Sequence, residues 1–373
     1  MDFFDIAKTY PTVCAAGDKY FVSVTVNRKC FMYITVGGKK YYNAVCGVNI
    51  SETAAHLASV PSEILNEQKQ YSVTLIPIVK RRSYSGKTLP EITKNFVFKP
   101  LEKGKEKINI IHIADTHNLT KKPIEYGKYF GENLDLLILN GDIGENAQTE
   151  KVYLNTYFIS GEITKGAIPC IISRGNHDLR GPAAEALDKY FPLVDGKTYY
   201  NLKIGDLSFM VLDCGEDKDD SDKEYGNSVS CREFRAEETK FIEKSVQNDI
   251  YKNSKMNIVL CHMPFTILNN EKKFAIEKDT YSKWVELTSR INPKLYLFAH
   301  IHLFFIVNPG DEMDSFGQSC PALSGSEINK KGGRFSLAAL TLYPDRNKVE
   351  IKQVGDILDK SKYGLENTDY FVI

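Results

Sequence analysis

Five of the seven histidines in this chain follow closely on short apolar runs, in company with aspartates and an asparagine. Residues 108–114 lead into Asp115-Thr116-His117, and 134–139 into Asn140-Gly141-Asp142. Ile171-Ile172 lead into Ser173-Arg174-Gly175-Asn176-His177-Asp178, where a glycine frees the backbone before three groups able to bind metal or move protons. Residues 257–260 lead into Cys261-His262, and 295–299 into His300-Ile301-His302. One such histidine is more often a structural residue than a ligand. Five of them with two aspartates and an asparagine are hard to produce by packing needs alone. Mixed imidazole and carboxylate donors suit borderline divalent metals such as manganese, iron(II), zinc or nickel. Eight candidate groups are too many for one ion, because a catalytic ion keeps a position open for water. Two ions sharing an aspartate use the set economically. Residues i and i+2 of an extended chain point the same way, so Asp115 with His117, and His300 with His302, would each send a pair of donors to one site. His56, in a polar segment, and His112, inside a strand, read as structural.

The elements that must position these groups follow from the same runs. Continuous apolar stretches bounded by polar residues read as strands buried on both faces, as in a parallel sheet covered by helices. In such sheets ligands bind beyond the carboxyl ends of the strands, where all these groups would fall. Residues 123–133, 149–165 and 182–190 can form the intervening helices of right-handed βαβ units, with Pro182 placed for a first helical turn. Residues 234–248 make a further helix with Phe234, Phe241, Ile242 and Val246 on its apolar side. Residues 335–342 and 349–354 are late strands expected to complete the second half of the sheet. Before all this, residues 18–98 look all-β. Tyr20, Val22, Val24 and Val26 alternate up to a turn at Asn27-Arg28-Lys29, and Cys30, Met32, Ile34 and Val36 alternate up to Gly37-Gly38. Pro61 and Pro77 suit edges or loops. The charged stretch 100–107, with Pro and Gly, is the best boundary. The expected plan is therefore a small β-sandwich at 1–104 and an α/β domain at 105–373. The first carries no catalytic constellation and reads as a packing or spacer module, with carbohydrate or protein-partner binding as the alternative.

A length of 373 residues favours two domains. Lys plus Arg equals Asp plus Glu at 48 each, which speaks against a protein made to grip nucleic acid. Eight scattered cysteines do not make a disulfide framework. Met1-Asp2-Phe3-Phe4-Asp5 carries acid where a secretory signal needs base, and no apolar run approaches membrane-spanning length. A soluble cytoplasmic protein with no membrane role is expected. The acidic run 213–224 lacks the spacing of a calcium loop and reads as a solvated loop. Because it follows the apolar stretch 207–212, it would overhang the ligand edge and repel a long polyanion.

Taken in order, Asp115-x-His117, Gly141-Asp142, Gly175-Asn176-His177-Asp178, His262 and His300-x-His302 resemble the motifs of the calcineurin-like metallophosphoesterases, over about residues 108 to 304 plus the late strands. The resemblance implies a double-sheet αββα sandwich, here preceded by the small all-β sandwich, and a metal-dependent phosphoesterase. It implies one metal held by Asp115, His117, Asp142 and His302, and another by Asp142, Asn176, His262 and His300, with Asp142 as the bridge. His177 would be no ligand but the acid or charge-stabilising group facing the substrate. The two-domain plan is similar to that of purple acid phosphatases. Their iron(III) site needs a tyrosine after Gly-Asp, however, and Ile143-Gly144-Glu145-Asn146 supplies none. The arginine that serine/threonine protein phosphatases place there is also missing, and Ala299 replaces the glycine common before His-x-His.

Two aspartates against two divalent ions leave a formal charge of about +2, so the pocket should attract phosphate. Metal binding brings the pKa of water down to about 7, and ions ~3.5–4 Å apart can hold hydroxide and phosphoryl oxygens for in-line attack. His177 would contribute on the order of 10²–10⁴-fold. Asp178 could orient His177 or serve the turn; Arg180 could contact phosphate, although surface solvation is its simpler role. The expected function is hydrolysis of a small phosphomonoester or phosphodiester, with two divalent transition-metal ions (manganese, iron or zinc) as cofactors. One alternative is a nuclease of the same superfamily, against which stand the neutral charge, the acidic loop and a single tight basic cluster, Lys80-Arg81-Arg82. Another is a non-catalytic binding or scaffold protein on the same frame, from which ligands should have been lost; none is missing. Loops 213–231 and 263–283 carry no readable substrate code.

Overall fold

The apolar runs become strands of two sheets, not one, in a computed structural model that describes every residue except 53, 269, 270, 272, 358–364, 366 and 367. Part of the 263–283 segment therefore lies outside the described residues. The first sheet runs in the spatial order Tyr370–Val372, Lys348–Gly355, Arg334–Tyr343, Ile108–Ile113, Leu136–Asn140, Pro169–Ser173, Thr12–Ala16, Lys19–Thr25 and Ala55–Pro61, with Ser326–Asn329 paired to Arg334–Tyr343. The second runs Tyr200–Ile204, Leu207–Leu212, Met256–Cys261, Pro293–Phe298, Ala322–Ser324 and Phe305–Val307. Ile108–Ile113, Leu136–Asn140 and Pro169–Ser173 are mutually parallel, as are Leu207–Leu212, Met256–Cys261 and Pro293–Phe298.

Alternation explains the layers. Ile108, Ile110, Leu136, Ile138 and Ile171 share one core with Phe209, Leu260, Leu295 and Leu297 of the second sheet. Their neighbours Ile111, Ile113, Leu137 and Leu139 belong to another core with Tyr157 and Ile159 of the helix Leu154–Thr164. On the far side, Met210, Val259, Tyr296 and Phe298 pack with Ile242 of the helix Cys231–Ser245 and Trp284 and Val285 of the helix Lys278–Ser289. A period of two with both faces apolar is what a strand sandwiched between layers requires. The result is helix, sheet, sheet, helix: the αββα plan.

Several expectations need correction. The late strand Arg334–Tyr343 joins the first sheet, antiparallel to Ile108–Ile113 (Ile110 opposite Leu340), and does not extend the later half that holds Met256–Cys261 and Pro293–Phe298. Leu337 and Ala339 enter one core while Ala338, Leu340 and Leu342 enter the other, and only an interior position buries both sets. At the other end, Thr12–Ala16 pairs in parallel with Pro169–Ser173, and Lys19–Thr25 and Ala55–Pro61 continue that sheet. Of the remaining amino-terminal strands, Ile92–Val97, Gln70–Arg82, Cys30–Val36, Lys39–Tyr42 and Ser85–Thr88 form a five-stranded sheet of their own, and Ala44–Val45 and Val48–Asn49 a two-stranded one. A division between 1–104 and 105–373 thus cuts across hydrogen-bonded strands. All five residues of Thr12–Ala16 are buried, and a strand so short carries little periodic signal. Pro61 ends an edge strand, whereas Pro77 lies in a central one, opposite Cys30 and just past the last pairing with Ile92–Val97.

The helix Cys231–Ser245 also faces differently from expectation. Its buried stripe is Cys231, Arg235, Glu238, Ile242 and Ser245, while Phe234 and Phe241 lie half-buried against Tyr199. Residues 182–189 form a 3₁₀ helix, and the helix Lys278–Ser289 begins within the 263–283 stretch that read as an uncoded loop. His56 is not in a polar segment but fully buried, its Nδ1 2.8 Å from Asn43 and its Nε2 3.3 Å from the Cys30 thiol. Burial pushes its pKa down to about 4, so it is a neutral structural histidine. His112 is structural too, its Nε2 3.0 Å from the Asn140 amide. All eight cysteines are unpaired. Among the described residues no helix is long and apolar enough to cross a membrane.

Candidate metal centre

Both sheets present their carboxyl ends to one edge, and the groups singled out by spacing meet there. Asp115 and His117 follow Ile108–Ile113, Asp142 follows Leu136–Asn140, and Asn176 and His177 follow Pro169–Ser173. From the second sheet His262 follows Met256–Cys261, and His300 and His302 follow Pro293–Phe298. Among the described residues, potential donor atoms form three overlapping groups, each within 4.8 Å: Asp115, His117 and His302; Asp142, His262 and His300; and His117, Asp142 and His177. His302 Nε2 is 3.5 Å from Asp115 Oδ1 and 3.0 Å from His117 Nε2. His262 Nε2 is 3.3 Å from Asp142 Oδ2 and 3.7 Å from Asp115 Oδ1. The Asn176 amide adjoins His300 Nδ1 at 3.1 Å.

The convergence does not come from extended chain. Asp115, His117, Asp142, His300 and His302 all have positive φ, between +44° and +69°, so the donors sit on tight left-handed turns just beyond the strand ends. Non-glycine residues held this way store strain, typically at functional sites. In consequence His300 and His302 do not act as a pair: one joins Asp142 and His262, the other Asp115 and His117. The glycines have different duties. Gly141 has φ +78° and a Cβ there would lie 2.5 Å from the Gly175 nitrogen. Gly175 is needed for space rather than backbone freedom, because its Cβ would lie 2.2 Å from Asp142 Oδ1. Gly175→Ala should therefore displace the Asp142 carboxylate. Misplacing a catalytic group by about 1 Å can cost ~10²-fold, so a loss of that order in kcat/KM with reduced metal content and an unchanged circular-dichroism spectrum is expected. Full metal content in this variant would show that Asp142 had not moved.

Electrostatics give the fit test for a cation. Burial disfavours the charged forms of Asp115 and Asp142, yet nearby imidazoles, His302 and His262 for Asp115 and His262 and His177 for Asp142, hold both carboxyls below the usual range. Burial likewise opposes a charge on His262, but the two carboxylates push its pKa up to about 10. Burial takes His117 and His300 down to about 4, leaving neutral nitrogen lone pairs. Two buried carboxylates thus draw positive charge from whatever lies nearest. Asp115 Oδ2 is satisfied by the His300 N–H at 2.9 Å and by the Ser326 hydroxyl. Asp115 Oδ1 and His262 Nε2, by contrast, are buried without a hydrogen bond. Each such orphan costs ~1–3 kcal/mol, and divalent cations would relieve both. The donor set fits metal.

Of the two roles open to Asp178, orienting His177 or serving the turn, the contacts favour the turn, and His177 is held by other groups. Its Nδ1 donates to the Glu145 carbonyl at 2.5 Å and adjoins Asn146 Oδ1 at 3.2 Å, which leaves Nε2 on the more open side. Nε2 is 4.0 Å from Asp142 Oδ2 and 3.3 Å from Arg180 Nη1. Asp178 is buried and accepts the Gly175 N–H at 2.9 Å, a turn role. Nor is Arg180 a surface residue: its guanidinium reaches Glu216 at 2.9 Å and Asp217 at 3.0 Å. The acidic run is accordingly no solvated loop at its start. Asp213 and Glu216 are buried, with Arg174 Nε 2.7 Å from Asp213, Arg235 donating to the Cys214 carbonyl at 2.8 Å, and Glu238 accepting the Asp213 N–H at 2.7 Å. Charged side chains were assigned to water one at a time, and mutual neutralisation in three dimensions reverses that. The spacing of 231, 235, 238, 242 and 245 was the available signal for the buried stripe. Ser326 and Glu145, both missed, carry no donor pattern of their own.

A two-sheet sandwich thus gathers Asp, Asn and His from five strand ends into one cluster. The model of the calcineurin-like phosphoesterase family matches residues 108–304, and the chain belongs to that family. A Fibrobacter succinogenes protein named "probable cyclic nucleotide phosphodiesterase" is 35% identical over 96 residues, 25% of this chain. That match spans 34%, about a third, of the relative's own length. A purple acid phosphatase from yellow lupin (Lupinus luteus) seeds superposes with a TM-score of 0.59 at 14% identity, covering 97% of this chain and 73% of the phosphatase. The structure of PhoD superposes with a TM-score of 0.56 at 12% identity, covering 92% and 86%. At such identities the likeness is one of fold, and it takes in the amino-terminal strands as well.

Proposed function

We propose that this protein hydrolyses small phosphomonoesters or phosphodiesters at a pair of divalent transition-metal ions, manganese, iron or zinc. The observation that carries the reading is the pair of buried, unbonded atoms Asp115 Oδ1 and His262 Nε2 at the centre of donors from five strand ends. Asp115, His117, Asp142 and His302 would hold one ion, and Asp142, Asn176, His262 and His300 the other, with Asp142 shared. When bound, the ions supply positive charge for phosphoryl oxygens and lower the pKa of water toward neutrality.

The chain's own residues prepare and complete the site. His262 Nδ1 donates to the Asn140 carbonyl at 2.7 Å, which directs its Nε2 to the donor cluster, and Glu145 Oε2 lies 3.2 Å from His117 Nδ1. Partners of this kind set the tautomer and orientation of a ligating imidazole. The His177 backbone N–H steadies Asp142 Oδ1 at 2.9 Å. The His177 ring, fixed through Nδ1, offers Nε2 to the phosphoester, where it can stabilise phosphoryl charge or hand a proton to the leaving oxygen. Glu216 and Asp217 around Arg180 keep the rim from becoming basic, which disfavours long polyanions such as nucleic acid. The unpaired cysteines suit a reducing compartment such as the cytoplasm.

Elemental analysis of the purified protein, followed by paired assays on a chromogenic monoester and diester with manganese, iron, zinc and magnesium, tests this. About two ions per chain and turnover with at least one transition metal are expected. Less than one bound ion and no turnover with any metal would sink the proposal.

A further inference from the structure

We infer that the apolar cavity beside His300 is a subsite for a planar aromatic ring on the phosphoester, carried by the substituent that stays on phosphorus; this rests on the hydrolase reading above. The cavity measures about 220 Å³ and is walled chiefly by Met263, Phe265, Ile267, Phe274, Tyr281 and Met313. Asp217 and His300 also line it. Because His300 belongs to the donor group of Asp142 and His262, a phosphoryl group bound at that centre would have the cavity next to it.

The other side of the site differs in kind. His177 does not line this cavity but a separate cleft of about 700 Å³, with Asn146, Arg180, Glu216 and Tyr225. A phosphorus atom between the two has a polar exit at His177 and an apolar wall at His300. The chemistry this favours is a diester: water adds to phosphorus, the P–O bond on the His177 side breaks, and the departing alcohol takes a proton. The second substituent remains esterified in the apolar cavity. Aromatic walls favour stacked or edge-on rings, and methionine sulfur makes favourable contacts at ring edges. Ile267 and Phe274 are half-buried and Met313 is 37% exposed, so the cavity opens to solvent and is not a packing void.

Three diesters that share p-nitrophenolate as leaving group and differ in the retained substituent (methyl, phenyl or thymidine 5′-) isolate the effect. The phenyl ester should exceed the methyl ester in kcat/KM on the order of 30-fold, mainly through KM, as expected for burying a ring. A matching gain for the thymidine ester would identify the natural ring as a nucleobase; a gain for phenyl alone, as a simple aryl group. Phe274→Ala and Ile267→Asp should each cut the phenyl-to-methyl ratio about fivefold or more. Calorimetric binding of phenylphosphonate against methylphosphonate to the metal-loaded protein gives a readout independent of turnover, with the same order expected. A ratio below about twofold in both readouts, a gain for thymidine only, or a ratio unchanged in both variants overturns the subsite. Turnover without ring preference leaves the hydrolase and removes the subsite; ring preference in binding without turnover of any ester does the reverse.

Discussion

Asp142→Asn should strip metal and activity together. The carboxylate is buried, belongs to two of the three donor groups, and has Oδ2 3.3 Å from His262 Nε2. An asparagine of nearly the same size can still accept the His177 N–H through Oδ1, so the fold has no reason to fail. What the amide removes is one of two negative charges that make a buried pocket attractive to cations. It also points an N–H donor at the His262 nitrogen whose lone pair would otherwise serve the metal. Losing an outer partner of a metal ligand typically costs ~10–100-fold, so a shared donor should exceed that, on the order of 10³-fold in kcat/KM. Metal content should fall from about two ions to below one per chain while the circular-dichroism spectrum holds. Two retained ions with the parental rate would remove Asp142 from the proposed bridging role.

His177→Ala should separate the two properties. Turnover is expected to fall on the order of 10²–10⁴-fold with metal content unchanged. The geometry makes this a sharp test, because His177 also lies in one donor group with His117 and Asp142 and could on distance alone be a ligand. Its Nδ1 is committed to the Glu145 carbonyl, so Nε2 can serve the substrate or a metal but not both. Loss of one equivalent of metal would make it a ligand. A further comparison distinguishes its possible duties. An alkoxide leaving group needs a proton and p-nitrophenolate does not, so a larger loss on alkyl esters marks a general acid. Equal losses on both mark charge stabilisation.

How much of this was written in the order of residues can be judged from particular cases. Apolar runs ending in Asp, Asn or His identified the groups that now lie together, because a strand buried on both faces must be apolar throughout and can carry polar groups only past its end. That these strands lie between covering layers was legible for the same reason, whereas their division into two sheets was implied only by the family resemblance. The sheet assignment of Arg334–Tyr343 was not legible, since residues with both faces buried look alike in either sheet. Thr12–Ala16 was invisible as part of the first sheet, because its partner lies more than 150 residues away and short strands carry almost no periodic signal.

Around the site the division is similar. Donor types and their order along the chain were decided by the sequence alone. Only the tertiary structure parted His300 from His302, because positive φ at both positions turns neighbouring side chains toward different partners. It also drew Glu216 from the expected solvated loop into the interior, against a half-buried Arg180, since a buried charge is tolerated when its counter-charge arrives from a distant segment. Local pattern reports what a residue can bind; which groups meet is set by long-range packing.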